Sequence, residues 1–357
     1  MPHDALLPDD TLEIAERIAR EAAALLLEHV RRGFAVEEKT PDDPVTIADR
    51  EASELIVARL RKAFPQDGIL SEELADSSDR LTRERVWIVD PIDGTREFVK
   101  GTGDYAVSIG LVIRGEPVLG VVAAPARDDV YAGVVGRGVW LNGKVAAFSS
   151  RALDAARIAV SDTEFERELR RFGVPGMVPS GSIAYKLARV AAGEADATFT
   201  INPRSEWDIA AGHALVRAAG GEFTTRDGGR ITYNRELPRL RRGVIGGRPD
   251  VVAWLARELE DRRVPEQQQY VRPTDAVWSL LPATDASRLV GHGHVHARHG
   301  GGRIEALVCV RRATLGWEIE RAEGDPESVR ILVSDLQREY GRLSLPGEPD
   351  GAADASA

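Results

Sequence analysis

The sequence predicts an α/β (α+β) protein built in two halves with a small extension. Three observations carry this. Two long helical periods open the chain, a run of β-like segments punctuated by glycine and proline follows, and strand-like and helix-like stretches then alternate. A length of 357 residues suits two domains and a small third, and 43% hydrophobic residues suffice for a sizeable core. The expected boundaries are an N-terminal α+β half over 1–150, a C-terminal α/β half over 151–264, a small α+β segment over 265–345 and a disordered tail over 346–357.

Residues 10–32 read as an amphipathic helix. Asp9 or Asp10 can cap it, Leu12, Ala15, Ala19, Ala22, Leu26 and Val30 recur along one face, and Gly33 stops it. A second helix is expected from Ile47 to Phe64, with Leu55, Ile56 and Leu60 buried and Pro65 after it. The period then changes. Val86–Val89 is a β-like run ending at Asp90-Pro91, and Tyr105–Ile113, Val118–Ala124 and Val130–Val135 are three more. Gly136-Arg137-Gly138 and Asn142-Gly143 signal turns, so this half reads as two helices against an antiparallel meander.

Beyond Phe148 the pattern alternates. Strands are expected at Arg157–Ser161, Ala195–Ile201 and Gly243–Gly246, and helices at Glu164–Phe172, Ser182–Ala192, Asp208–Ala219 and Pro249–Arg262. After the polar linker Pro265–Tyr270, strands are expected at Arg288–His299, Arg303–Arg311 and Thr314–Ala322, then a helix at Pro326–Tyr340.

Composition narrows the function classes. The net charge of −10 disfavours a nucleic-acid polymer or an anionic membrane as partner, because both need clustered cations. It leaves room for a phosphorylated small molecule held through a metal. One cysteine, Cys309, allows neither an internal disulfide nor a Cys-rich zinc site, which agrees with a cytoplasmic location. No run approaches the ~18 apolar residues of a membrane span. The opening MPHDALLPDDTLEIAERIAR has no apolar stretch near Met1, so no secretory signal is expected there.

The informative cluster is acidic. Glu72-Glu73 follow the short apolar piece Gly68-Ile69-Leu70, and Trp87-Ile88-Val89-Asp90-Pro91-Ile92-Asp93-Gly94-Thr95 is a strand running into a tight turn. Asp208 opens a helix, and Asp49 follows Pro44-Val45-Thr46-Ile47-Ala48. Two carboxylates at the end of a buried strand repel each other unless a cation sits between them. Pro91 stiffens the turn and lets the Ile92 carbonyl point the same way, while Gly94 permits close backbone approach. Carboxylates plus a carbonyl make the hard all-oxygen site that Mg²⁺ prefers. Two such ions about 4 Å apart would clamp an in-line phosphoryl displacement.

On these residues the chain resembles the inositol monophosphatase superfamily of Mg²⁺-dependent, lithium-sensitive phosphatases. The matching pieces are Asp90-Pro91-Ile92-Asp93-Gly94-Thr95, Ser71-Glu72-Glu73, Trp207-Asp208-Ile209-Ala210-Ala211-Gly212 with Ala218-Ala219-Gly220-Gly221, and Pro44–Asp49, in family order over residues 10–262. The resemblance implies an alternating αβαβα sandwich of the inositol monophosphatase/fructose bisphosphatase type, with the site between its halves. It implies Glu72, Asp90 and the Ile92 carbonyl as ligands of one Mg²⁺, and Asp90, Asp93 and Asp208 as ligands of a second, with two or three ions in all. Glu72, Asp49 and Thr95 take the catalytic roles, Thr95 and Asp49 together orienting and deprotonating water. The Gly94 and Thr95 N–H groups would hold the phosphate.

Arg96-Glu97-Phe98 resembles the Lys-Glu-Phe of the bisphosphate nucleotidase branch. Inositol-specific members carry an acidic residue seven positions before the metal-binding Asp, where this chain has Ile201. The resemblance therefore points first to removal of the 3′-phosphate from 3′-phosphoadenosine 5′-phosphate, giving AMP. Lys186 and Arg204 are expected to contact the second phosphate, although nucleotidases often have Arg where Thr200 stands. The alternatives are an inositol or sugar phosphatase and, remotely, a catalytically silent phosphate-ligand sensor. The expected partner is a small phosphate ester, with a homodimer as one option.

Other polar residues read more blandly. Arg96 and Lys100 suit contact with a second phosphate and a charged loop rim alike, His213 a packed helix histidine, and Ser71 and Glu73 loop shaping around Glu72. His292, His294, His296 and His299 suit the polar face of a short strand, although the first three would share that face and could converge on a metal. The segment 265–345 carries no known motif; covering a surface or joining subunits is the role expected of it.

Overall fold

The computed structural model describes residues 7–34, 36–40, 43–236, 238–240, 243–260, 269–270, 293–300, 303–313, 316–327, 329–330, 333 and 343–344. The chain divides into two compact units, Met1–Arg263 and Val264–Ala357.

Helix α1 (Thr11–Arg32) ends at Gly33, and its buried positions Ala15, Ile18, Ala19, Ala22 and Leu26 form one stripe. A short hairpin, β1 (Val36–Thr40) and β2 (Asp43–Thr46), leads into α2 (Ile47–Ala63). Next come β3 (Gly68–Ser71), β4 (Arg85–Asp93), α3 (Thr95–Lys100), β5 (Ala106–Ile113), β6 (Glu116–Ala124), β7 (Asp129–Val134), β8 (Gly138–Leu141) and β9 (Lys144–Ala146). Strands β3 to β9 form a seven-stranded sheet in sequence order, antiparallel except for the parallel β3–β4 pair. The expected meander is therefore present, extended by β3 and by the β8–β9 hairpin, whose turn Asn142-Gly143 supplies two left-handed residues.

The second half contributes β10 (Ile158–Ser161), α4 (Asp162–Arg167), β11 (Met177–Ser180), α5 (Ile183–Ala191), β12 (Ala197–Phe199), β13 (Arg204–Ser205), α6 (Glu206–Ala218), β14 (Glu222–Thr225), β15 (Arg239–Leu240), β16 (Val244–Gly247) and α7 (Pro249–Glu260). A five-stranded sheet runs β11-β10-β12-β16-β14, parallel around β10 and antiparallel on either side of β16. The helix expected over 164–172 is not continuous. It breaks at Glu168, where φ is −139°, and resumes as a 3-10 turn over Leu169–Phe172.

Helices α1 and α2 cover one face of the larger sheet, and α5 and α6 lie between the sheets. Helix α7 packs on β16, completing an αβαβα order. Strand β4 shows how alternation feeds two cores. Val86 and Ile88 join the cluster with α5 and α6, while Trp87 and Val89 join the one with α1 and α2. Helix α6 rests on the sheet with almost nothing between them. A Cβ on Gly110 would come 2.8 Å from the Ala211 nitrogen, and one on Gly120 would overlap the Ala211 carbonyl.

The second unit contains β17 (Gln269–Tyr270), β18 (Gly293–Gly300), β19 (Arg303–Ala313), β20 (Gly316–Gly324) and β21 (Leu343–Ser344), paired in that order. Helical backbone occurs at 326–327, 329–330 and 333. Three expected strands are thus found, shifted by a few residues. His294, His296 and His299 lie on β18, with a register irregularity between Arg298 and His299, and His292 falls outside the described residues.

Candidate metal centre

Strand β4 loses its regular pairing with β5 between Asp90 and Asp93, where Pro91 cannot donate to the ladder. Ile92 N donates to Asp90 Oδ1 at 3.0 Å, closing the turn. Gly94 then adopts a left-handed conformation at φ 94°, and Thr95 begins α3. The strand end and the turn thereby bring Asp90 and Asp93 to one place.

Asp208 arrives from the other half at the third position of α6. Its Oδ2 accepts from Ser205 N at 2.9 Å in a capping box. Carboxylate oxygens of Asp90, Asp93 and Asp208 lie within 4.8 Å of one another. Asp90 is 2% exposed. Burial, and then the charges of Glu72, Asp93, Asp208 and Asp49, hold its pKa well above the ordinary carboxylate range. Asp208 is pushed up to about 7, by burial and then by Asp93. Glu72 lies outside the trio. Its N–H donates to Val89 O at 3.2 Å just past the β3–β4 pair, and its charge is the largest of those raising Asp90.

Asp49 repeats the capping device. As third residue of α2 it accepts from Thr46 N and from Thr46 Oγ1, both at 2.7 Å and both on Oδ2. That leaves Oδ1 to the Thr95 hydroxyl, 3.2 Å away, which also lies 3.1 Å from the Ile92 carbonyl. Burial raises the Asp49 pKa, and the Thr46 bonds oppose the shift.

Asp93 is held differently. Its Oδ2 accepts from the Ser182 hydroxyl and, at 2.6 Å, from Ala184 N in the first turn of α5. Burial raises its pKa and these two bonds counter it. Neither Ser182 nor Ala184 is recognisable from the sequence as a partner of Asp93. A serine at a helix start marks a cap and says nothing about a residue 89 positions away.

Lys186 is 3% exposed, and its Nζ donates to the carbonyls of Ser180, Gly181 and Ser182 at 3.2, 2.8 and 2.9 Å. An ammonium has three donors. All three of its donors are thus engaged with backbone carbonyls. Arg204 donates through Nη2 to Glu164 at 2.6 Å and to Thr200 Oγ1 at 2.9 Å, while its Nε is buried without a hydrogen-bond partner. The Arg204 charge opposes the upward shifts of Asp93 and Asp208. Ile201 is buried, with its N–H on Glu164.

Ser71 bonds Ser53 at 2.7 Å, and Glu73 bears on Asp49 as a like charge. His213 is buried with Nδ1 2.9 Å from the Tyr233 hydroxyl and its ring 4.6 Å from Phe223, and burial pushes its pKa down to about 3.

The donor set fits a hard divalent cation. All its groups are carboxylates, and their burial and mutual repulsion call for positive charge among them.

Comparison with known proteins agrees with this chemistry. Residues 7–271 match the family model described as the inositol monophosphatase family. An inositol-1-monophosphatase of Bacillus subtilis is 33% identical over 251 residues, covering 67% of this chain and 92% of that protein. A fructose-1,6-bisphosphatase/inositol-1-monophosphatase of Thermotoga maritima is 37% identical over 233 residues, covering 61% and 86%. Among solved structures, the extragenic suppressor protein suhB of Bartonella henselae superposes with a TM-score of 0.62 at 32% identity, covering 71% of this chain and 99% of that one.

Proposed function

The chain belongs to the inositol monophosphatase family, and on that premise we propose that Asp90, Asp93, Asp208, Glu72 and the Ile92 carbonyl hold two or three Mg²⁺ ions for hydrolysis of a small phosphate monoester. The observation that carries this reading is the buried trio of carboxylates with oxygens inside 4.8 Å. When bound, the magnesium supplies the positive charge that neutralises the reacting phosphoryl oxygens. The chain's own groups do the rest. Gly94 and Thr95 open α3 and present N–H groups to the phosphate. The Thr95 hydroxyl orients the attacking water, and Asp49, made more basic by burial, takes up its proton.

Within this class, an inositol or sugar phosphate is the first reading of the substrate. The Bacillus and Thermotoga relatives carry names of that kind, and the amine of Lys186 is engaged with backbone carbonyls. The second reading is 3′-phosphoadenosine 5′-phosphate. It is favoured by Ile201, which offers no acid to ring hydroxyls, and by Arg204, whose buried Nε has no protein acceptor. Phosphate release with Mg²⁺, measured as kcat/KM for inositol 1-phosphate, fructose 1,6-bisphosphate, 3′-phosphoadenosine 5′-phosphate and 3′-AMP, ranks the two. Fastest turnover of the bisphosphonucleotide would reverse the order. No release from any of the four would favour the silent phosphate sensor.

Among the described residues no helix is long and apolar enough to cross a membrane. A cytoplasmic location and a homodimer remain part of this reading, the latter checked by light scattering.

A further inference from the structure

Three successive carbonyls, those of Ser180, Gly181 and Ser182, converge on one buried ammonium. Carbonyl oxygens gathered this closely repel one another, and a cation among them fixes the direction of each peptide plane. The other side of the same segment is held as well. Ser180 Oγ donates to Asp104 Oδ2 at 3.0 Å, and Gly181 N donates to the same oxygen at 3.2 Å. Beside these clamps Ser182 takes a positive φ of 41°, a backbone that an L-residue rarely adopts and that persists only when its surroundings impose it.

That constrained serine is the residue whose hydroxyl donates to Asp93 Oδ2, and Ala184, two residues on, adds its N–H to the same oxygen. Asp93 is thereby tied by its Oδ2, and neither of these bonds uses its Oδ1. Among the hydrogen bonds of Lys186 none goes to the three carboxylates, yet the bonds that lead from its Nζ through Ser182 to Asp93 are all buried.

We propose that Lys186 is a positioning residue for the metal centre: it locks the Ser180–Ser182 segment so that Ser182 and Ala184 hold Asp93 in its metal-binding orientation. This rests on the metal-dependent reading of the site. It departs from a substrate-contact role for Lys186, which would need the amine at the cavity surface.

The test is Mg²⁺ binding without substrate, by isothermal titration calorimetry, on wild type, Lys186→Met, Ser182→Ala and the double variant. Losing groups that orient a ligand typically weakens metal affinity about 10–100-fold, which is the loss expected for each single variant. The double variant should lose little more than the worse single one, because both act through Asp93. In turnover at saturating Mg²⁺, Lys186→Met should lower kcat with little change in KM. If Lys186→Met lowers Tm but binds Mg²⁺ as wild type does, the lysine is merely structural and the proposal fails. It fails equally if KM for a bisphosphorylated substrate rises while Mg²⁺ affinity holds. Should Lys186→Met not fold, Ser182→Ala decides: unchanged Mg²⁺ affinity there overturns the path through Asp93. Wild type that binds no Mg²⁺ would remove the underlying metal reading together with this inference, a result distinct from normal wild-type binding with unaffected variants.

Discussion

Thr95 Oγ1 stands 3.2 Å from Asp49 Oδ1, although the two residues are 46 positions apart. The contact exists because both side chains are anchored first by their own helices. Asp49 spends its other oxygen on the Thr46 cap, and Thr95 begins α3 directly after the Gly94 turn. A hydroxyl so placed can orient water and pass its proton to a buried carboxylate.

Thr95→Ala should therefore lower kcat by about 10²–10⁴-fold, the usual worth of positioned proton transfer, with KM nearly unchanged. Steady-state kinetics at saturating Mg²⁺ checks this. A raised KM at constant kcat would make Thr95 a binding residue instead.

Asp90→Asn should abolish turnover yet raise the Tm of metal-free protein. It removes a buried carboxyl whose ionised form burial, Glu72, Asp93 and Asp208 disfavour. The same change should cancel the rise in Tm that Mg²⁺ gives wild type. Thermal melts in EDTA and in Mg²⁺ measure both effects. Near-normal rates in Asp90→Asn would discard the two-metal assignment.

His213 gives a pH dependence of stability with a definite sign. Its folded pKa of about 3 lies below the ordinary 6.5, so the unfolded chain binds one more proton between those values. Its contribution is complete above pH 6.5 and is lost as pH falls toward 3, at about 1.4 kcal/mol per pH unit. Urea unfolding of wild type and His213→Asn across pH 4–7 should show a shallower slope for the variant. Equal slopes would mean that the ring is protonated in the folded protein.

Lithium should inhibit, and added Mg²⁺ should alter the inhibition, as the family resemblance implies. Full activity at lithium concentrations that silence an inositol monophosphatase control would place the chain outside the sensitive members.

What the sequence discloses about this site depends on how far apart the interacting groups stand. Asp90 and Asp93 share one turn, so their spacing and the apolar strand before them suffice to mark a cation site. Asp49, Glu72 and Asp208 sit in other elements, and only the resemblance ties them to the same place. Ser182 and Asp93 meet because β4 and α5 are stacked, a relation that no local pattern carries. Lys186 reads as a cation on a helix face because periodicity records the side of a helix and not the carbonyls of the segment before it. The helix expected over 164–172 breaks at Glu168, and the partners of its first residue are equally illegible. Glu164 is drawn inward by Arg204, Thr200 and Ile201 N, all of which come from beyond β12. In the second unit the three long strands are legible as strand-like runs, while any convergence of the histidine side chains lies outside what is described.

Helix α6 and the larger sheet meet through Gly110, Gly120 and the backbone of Ala211, so at this joint main chain lies against main chain. Main chain in secondary structure is stiff, whereas interleaved side chains supply most of the give in a protein interior. A joint without that compliant filling has little thermal expansion. Warming should leave the carboxylate spacing nearly constant until the helix leaves the sheet altogether. Heat inactivation in Mg²⁺ and loss of helical circular dichroism should then share one midpoint, with no range of temperature in which the protein is folded but idle.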